Sequence, residues 1–124
     1  MGYKLKTSKQ TEDLLLQIER SENLQAYTLV KIAISLSIRK GALSEDDLKT
    51  DTKGREFNRP QVTGEFDRLY KCLMELGLSR HLDDDEFFPH HVKAHLDRGV
   101  VLLDQERRYA KDFLVHLSEL EKAI

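Results

Sequence analysis

The chain has 124 residues, of which 40% are hydrophobic and 34% are charged, and its formal net charge is −2. This length and composition indicate one small globular domain over residues 1–124, and the near-neutral charge excludes a nucleic-acid polycation. The single cysteine excludes an internal disulfide and a multi-thiolate metal site.

The charge is distributed unevenly. Residues 1–40 hold seven Lys/Arg against four Asp/Glu, a net charge of +3, whereas residues 81–124 hold six against ten, a net charge of −4. This asymmetry predicts a basic face on an acidic protein. No apolar run approaches the ~18 residues of a membrane span, and the segment MGYKLKTSKQ lacks the apolar core of a signal peptide. We expect a cytoplasmic protein.

The first predicted elements are a strand and a helix. Residues 3–6 alternate apolar and polar side chains, which predicts a short strand or an extended arm. Thr7 and Gln10 have the spacing of a capping box and predict a helix start. The apolar face of that helix comprises Thr11, Leu14, Leu15 and Ile18.

Residues 29–38, LVKIAISLSI, fit two elements. Their alternation suits a half-buried strand, yet four of them also share a helical face. The length of the apolar region and Gly41 as a C-cap favour a helix, which would be central because it is apolar on nearly all sides. A strand is the alternative. Residues 41–61 then form a long charged loop, with a helical turn in SEDDLKT.

The second half predicts further helices. Thr63 is expected to cap a helix that ends at Gly77, with an apolar stripe of Phe66, Leu69, Tyr70, Leu73 and Met74. The acids of LDDDEFFP suit the start of another helix, which carries Val92, Leu96, Val100 and Leu103. A final helix, which no breaker separates from it, carries Tyr109, Phe113, Leu117 and Leu120. The predicted fold is all-α, about five helices after a strand, with a start like that of ribbon-helix-helix proteins.

Few side chains suggest catalysis or metal binding. His91 and His95 are four residues apart, as two imidazoles on one metal would be, but the glutamate of the metalloprotease signature is absent. We favour a structural role for them. Cys72 is expected to be a small core residue. The sequence has no Ser-His-Asp pattern and no P-loop, so no metal and no cofactor is expected.

Basic residues are the candidate binding residues. They could bind phosphate, or they could form an ordinary solvated surface. If the start is of ribbon-helix-helix type, the strands of two chains pair, with Lys4 and Lys6 on one face and Tyr3 and Leu5 on the other. The candidates in the first forty residues are Lys4, Lys6, Lys9, Arg20, Lys31, Arg39 and Lys40.

Four segments, in this order, resemble the DndE family of bacterial DNA phosphorothioation systems: LKTSKQTEDLLLQIE, LVKIAISLSI, GREFNRPQVTGEFDRLY and HLDRGVVLL. The resemblance implies a small, mostly helical, cytoplasmic homotetramer that acts as an accessory component. It implies binding to nicked double-stranded DNA through surface lysines and no catalytic site. The implied partners are an ATPase-like protein and a sulfur-transfer protein.

The chain departs from the family pattern in its first helix. Family members often carry several basic residues there, whereas KQTEDLLLQIERSEN offers Lys9 and Arg20 beside four acids. DNA contact through this helix is therefore expected to be weak. Tetramerisation would add several basic patches together.

The segment from residue 53 to 70 has two predicted roles. Gly54, Asn58 and Pro60 would shape the turn, Phe57 and Phe66 would anchor it to the core, and Lys53, Arg55 and Arg59 would point outward to phosphate or to a neighbouring subunit. The alternative is that Arg55 and Glu56 only form ion pairs with nearby charges. Gly99 is expected to permit close helix packing. Two other function classes stay open: a ribbon-helix-helix transcriptional regulator and a small metalloenzyme that uses His91 and His95.

Overall fold

The computed structural model describes residues 3–109, 115 and 117–119. The predicted all-α class is confirmed, with five α-helices and a two-stranded sheet in these residues. The elements are β1 (Lys4–Lys6), α1 (Lys9–Glu22), α2 (Ala26–Lys40), β2 (Glu56–Asn58), α3 (Arg59–Val62), α4 (Asp67–Leu78) and α5 (Val92–Tyr109).

Helix α1 begins one residue later than its sequence predicts. Ser8 is the N-cap, and its hydroxyl accepts a hydrogen bond from the Thr11 amide at 3.1 Å. The predicted capping box of Thr7 and Gln10 is therefore wrong. The Thr7 hydroxyl instead accepts a hydrogen bond from the Arg55 amide at 3.0 Å. This side chain therefore binds the 41–61 segment rather than the start of α1.

Helix α2 is the central helix, as predicted, and the strand alternative is wrong. Its C-terminus is closed by Gly41, whose amide donates to the Ile38 carbonyl at 3.1 Å with φ of 126°, a backbone conformation that favours glycine. It packs mainly against α5, and α1 also packs against α5. The core between these helices is fully buried and includes Leu15, Ile18, Leu29, Val30, Ile34, Leu96, Val100 and Leu103.

The 41–61 segment, predicted as a loop, contains regular secondary structure. The predicted helical turn exists as a 3₁₀ turn, Asp46–Lys49. Strand β2, which the sequence does not predict, pairs antiparallel with β1 so that Leu5 lies opposite Phe57. Both of these side chains are buried, which confirms Phe57 as an anchor. Asn58 and Gln61 form a capping box that starts α3.

Helix α4 differs from its prediction at both ends. Thr63 follows α3 rather than capping α4, because a 3₁₀ turn, Gly64–Phe66, lies between them. The helix is closed by Ser79 in a left-handed conformation, not by Gly77. Tyr70 and Met74 are buried, whereas the other members of the predicted stripe, including the predicted anchor Phe66, are exposed.

Helix α5 is the last element with a continuous range in the described residues. A wide helical turn, Glu86–His91, precedes it and is interrupted at Phe88, whose backbone is extended. Phe87 and Phe88 are completely buried. The predicted last helix falls partly outside the described residues, which exclude Phe113 and Leu120. In the part of the chain that the structure describes, no helix is both long enough and apolar enough to cross a membrane.

Candidate nucleic-acid interface

The paired strands fasten the 53–59 segment to the N-terminal arm. Backbone amides of Thr7 and Arg59 donate to the carbonyls of Arg55 and Tyr3, at 3.0 and 2.7 Å. Gly54 donates to the Thr7 carbonyl at 2.9 Å, and a Cβ on residue 54 would lie 2.1 Å from the Ser8 carbonyl oxygen. Only glycine fits this close approach, so the two basic segments are held side by side.

Two lysines lie on the outer face of the strand pair, opposite the buried Leu5. Lys4 and Lys6 are both exposed, and Lys4 forms one loose ion pair, with its ammonium 3.7 Å from the Glu56 carboxylate. This β pair forms within one chain, so it differs from the two-chain ribbon of ribbon-helix-helix proteins. Tyr3, which a ribbon-helix-helix start would place on the same face as Leu5, is 58% exposed.

Asp51 brings Lys9 and Lys53 together. Its Oδ1 accepts the backbone amide of Lys53 at 2.9 Å and that of Lys9 at 3.0 Å. The bond from Lys53, followed by that from Lys9, lowers the pKa of Asp51. The side chain of Lys53 is exposed beside the strand pair. Lys4, Lys6 and Lys53 are named the ribbon patch below.

The ammonium of Lys9 is directed at acids of its own helix. It lies 2.5 Å from Glu12 and 3.6 Å from Asp13. The hydrogen bond to Glu12, followed by the charges of Glu12 and Asp13, raises the pKa of Lys9. The single positive charge of Lys9 therefore offsets one of the two negative charges beside it, out of the four acids of this helix.

Arg55 and Arg59 bind carboxylates rather than pointing freely outward. The Arg55 guanidinium donates to Glu19 at 2.7 Å and lies 4.9 Å from the centre of the Phe57 ring. Arg59 is largely buried and donates to both Asp67 and Asp84, at 2.8 to 3.1 Å. These hydrogen bonds raise the pKa of Arg59. The prediction that Arg59 is outward is wrong.

The remaining candidates lie elsewhere on the surface. Lys31 donates to the Gln61 carbonyl at 3.2 Å and lies 5.5 Å from the centre of the Tyr27 ring. Arg39 and Lys40 are exposed at the end of α2. Arg20 is exposed in the last turn of α1, about 17 Å along the helix axis from Lys9. The ten basic residues predicted to bind DNA thus lie in separate regions of the surface, and only some of them lie on or beside the strand pair.

A buried polar cluster that sequence reasoning missed holds the start of α1. Asp97 accepts hydrogen bonds from the Ser8 amide at 3.1 Å and from the hydroxyls of Thr11 and Thr50 at 2.6 and 2.5 Å. It also pairs with Lys93 at 2.7 Å. The only feature of the sequence that could have indicated this cluster is the oppositely charged pair Lys93 and Asp97, four residues apart in an apolar helix. This cluster fixes the backbone from which the ribbon patch extends.

The histidine pair is buried, and one of its members is well bonded. Arg98 donates to the Ser37 hydroxyl at 2.8 Å, which leaves that hydroxyl to donate to His95 Nδ1, also at 2.8 Å. Burial, assisted by the Arg98 charge, lowers the pKa of His95 to about 3. Among the described residues, His91 Nδ1 is buried and has no hydrogen-bond partner, and burial lowers the pKa of His91 as well.

A metal site at the histidines lacks further ligands. Within the described residues, no group of three or more His, Cys, Asp or Glu side chains is placed to hold a metal ion. Cys72 is exposed on α4, so its predicted place in the core is wrong. The cause is that residue 72 falls on the side of α4 away from Tyr70 and Met74.

The sequence matches the family described as "DNA sulphur modification protein DndE" over residues 4–111. The chain belongs to the DndE family. The DndE family match covers the strand pair, all five helices and every candidate basic residue. It confirms the resemblance and places the chain among proteins related to DNA phosphorothioation.

Two solved structures have the same fold. DndE from Escherichia coli B7A, involved in DNA phosphorothioation modification, is 17% identical, with a TM-score of 0.65 over 83% of this chain and 98% of the other. A G21/24K mutant of DndE is 15% identical, with a TM-score of 0.65 over 82% and 97% of the two chains. No curated protein matches the sequence.

Proposed function

We propose that this chain is an accessory, non-catalytic subunit of a bacterial DNA phosphorothioation complex, and that it binds nicked double-stranded DNA in the cytoplasm. The observation that carries the proposal is the DndE family match over residues 4–111. The sulfur chemistry and ATP hydrolysis would belong to a sulfur-transfer protein and an ATPase-like protein bound to it.

The distribution of charge supports DNA contact at the ribbon patch rather than along α1. The acids Glu12, Asp13 and Glu19 bind Lys9 and Arg55 within the chain. These contacts offset two of the three acidic charges at short range and engage both basic side chains, whereas Lys6 and Lys53 are exposed. Lysine binds phosphate as a point charge and does not require a fixed geometry, which suits a backbone contact that does not read sequence.

Self-association into a homotetramer would make such a small patch effective. Each phosphate neutralised by a lysine releases counterions, so the affinity for duplex DNA grows with the number of contacts and falls with salt. Several ribbon patches on one assembly would act together on a single duplex.

Fluorescence anisotropy with labelled duplexes, intact and singly nicked, over a salt series tests the proposal. We expect tighter binding to the nicked duplex and a steep loss of affinity with salt. Reversing two charges of the ribbon patch, Lys6→Glu with Lys53→Glu, should weaken binding at least tenfold and reduce the salt slope by about 2.

The matched control reverses charges outside the patch. Lys49 is 72% exposed on the 3₁₀ turn and Lys40 lies at the end of α2. Lys40→Glu with Lys49→Glu changes the net charge equally and should retain most of the affinity. Equal losses in both double variants, or no binding by the folded wild type, would overturn the proposed contact.

A further inference from the structure

Strand β1 has an edge that β2 does not cover. In the part of the chain that the structure describes, the sheet consists of these two strands alone. A strand in an antiparallel pair uses alternate residues for its inter-strand hydrogen bonds, and the residues between them direct their amides and carbonyls to the opposite side. The alternation along β1 therefore decides which backbone groups face away from β2.

Hydrogen bonds at both ends of β1 fix this alternation. The Thr7 amide donates to the Arg55 carbonyl at 3.0 Å. At the other end, the Tyr3 carbonyl accepts a hydrogen bond from the Arg59 amide at 2.7 Å. Positions 3 and 7 thus face β2, and position 5, midway between them, faces it as well.

Lys4 and Lys6 occupy the positions between, so their amides point away from β2 at the free edge of β1. Both residues are exposed, and their amides lie about 6.8 Å apart along the strand. Their side chains leave the strand on its solvent face, opposite the buried Leu5. The free edge therefore presents two N–H donors, for which the described residues provide no acceptor, beside two ammonium groups.

The side chains at this edge favour phosphate over a further strand. Lysines on an edge strand discourage pairing with another strand, and β1 has only three residues. Backbone amides and lysines both bind phosphate oxygens in protein–DNA complexes. The Glu56 carboxylate of β2 lies 3.7 Å from the Lys4 ammonium, whereas the Lys6 ammonium has no ion pair among the described residues.

We propose that the backbone amides of Lys4 and Lys6 bind phosphate oxygens of one DNA strand, with the Lys6 ammonium on the same phosphates. The inference rests on the DNA binding of the proposed function and names the donors at that site. The strand pair fixes a main-chain donor in place, whereas a lysine side chain is flexible. The two amides therefore set where the duplex lies on the ribbon patch, and the lysines supply the charge.

Lys6→Gln and Lys6→Pro separate the amide from the side chain. Both variants lose the ammonium charge, but only proline also lacks the N–H. Proline is tolerated on an edge strand where the N–H faces solvent, so the fold should persist, and circular dichroism checks this. In the anisotropy assay, we expect Lys6→Gln to weaken duplex binding and to reduce the salt slope by about 1. Lys6→Pro should weaken binding about tenfold further at the same slope, because the lost donor is uncharged.

Amide chemical shifts of the wild type provide a second measurement that needs no substitution. Titration with inorganic phosphate at constant ionic strength should shift the Lys4 and Lys6 amides and spare the Leu5 amide, which faces β2. Titration with duplex DNA should shift the same two amides. Slow hydrogen exchange at Lys4 and Lys6 in the free protein would mean that the edge is already paired, and it would overturn the inference.

The outcomes distinguish the inference from the proposed function. If the folded wild type binds neither duplex, the DNA-binding function is overturned, and the phosphate titration alone decides whether the Lys4 and Lys6 amides bind phosphate. If the wild type binds DNA, equal affinities of folded Lys6→Gln and Lys6→Pro overturn the inference and leave the function standing. Unchanged Lys4 and Lys6 amide shifts in both titrations overturn it in the same way.

Discussion

Gly99 of α5 lies directly against the backbone of Ala33 in α2, where a Cβ on residue 99 would come within 1.9 Å of the Ala33 carbonyl oxygen. The two central helices can meet at this distance only because position 99 has no side chain. We therefore predict that Gly99→Ala lowers the free energy of unfolding by about 3 kcal/mol, since the helices must separate. Urea denaturation followed by circular dichroism measures it.

Gly77→Ala is the matched control for this substitution. It also lies inside a helix, but the nearest atom to a new Cβ is 4.0 Å away. Without a clash, alanine should increase stability by about 0.5–1 kcal/mol through its higher helix propensity. Similar effects at both glycines would contradict the close approach of α2 and α5.

Burial of His95 makes stability depend on pH. Its pKa is about 3 in the folded protein, against 6.5 for an unperturbed histidine, because burial and the Arg98 charge disfavour the imidazolium. The unfolded chain binds the extra proton between these values, so this contribution to stability is complete above pH 6.5 and is lost as the pH falls. We expect His95→Gln to remove about 2 kcal/mol of the stability difference between pH 8 and pH 5.

Urea denaturation at pH 5, 6, 7 and 8 measures this difference. The range stays above the pKa of Asp47, Asp67 and Asp84, all of which are lowered in the fold. His90→Gln is the control, because His90 is exposed next to the same helix. If His95→Gln kept the wild-type pH dependence, the buried imidazole would not be its source.

The Asp97 cluster should be one of the most sensitive polar sites in the chain. Asp97→Ala leaves the Lys93 ammonium largely buried without its carboxylate and removes the acceptor of three further donors. We expect a loss of about 3–5 kcal/mol in the free energy of unfolding. Asp46→Ala removes a carboxylate that is 95% exposed and only 4.0 Å from Lys49, and it should change stability by less than about 0.5 kcal/mol.

Arg59→Lys separates a structural arginine from a DNA-binding one. Lysine keeps the charge but lacks the planar guanidinium. It therefore cannot donate in the same geometry to both Asp67 and Asp84, and it cannot stack against the rings of Phe87 and Phe88. We predict a loss of about 2 kcal/mol in stability and an unchanged affinity for DNA. Reduced DNA affinity in a folded Arg59→Lys protein would place this residue at the interface after all.

The long helices could be predicted because their signals are local. The apolar spacing in residues 29–38 and the glycine at position 41 define α2 without reference to any other segment. Strand β2 could not be predicted, because three residues carry no periodicity and their conformation depends on pairing with Leu5 and its neighbours, about 50 positions earlier. For the same reason, Ser8 takes the N-cap role that spacing alone predicts for Thr7, because the Thr7 hydroxyl accepts the Arg55 amide instead.

The candidate site was only partly predictable. Lys6 and Lys53 are exposed, as charge and flanking breakers indicate. The surroundings of Arg59 depend on Asp67 and Asp84, which other elements bring to it, so its burial has no signal near position 59. The apolar stripe of α4 was predicted as one face, and the structure divides it because the helix turns only Tyr70 and Met74 toward the core.

The bond between the Ser8 amide and Asp97 joins positions 89 residues apart, and this separation bears on how the protein is made. During synthesis residue 8 leaves the ribosome well before residue 97, so the carboxylate that completes the start of α1 emerges only with α5. Such long-range closure slows folding and makes the start of α1 depend on α5. A chain that ends before α5 would therefore lack the contact that holds the start of α1 beside the basic strand pair.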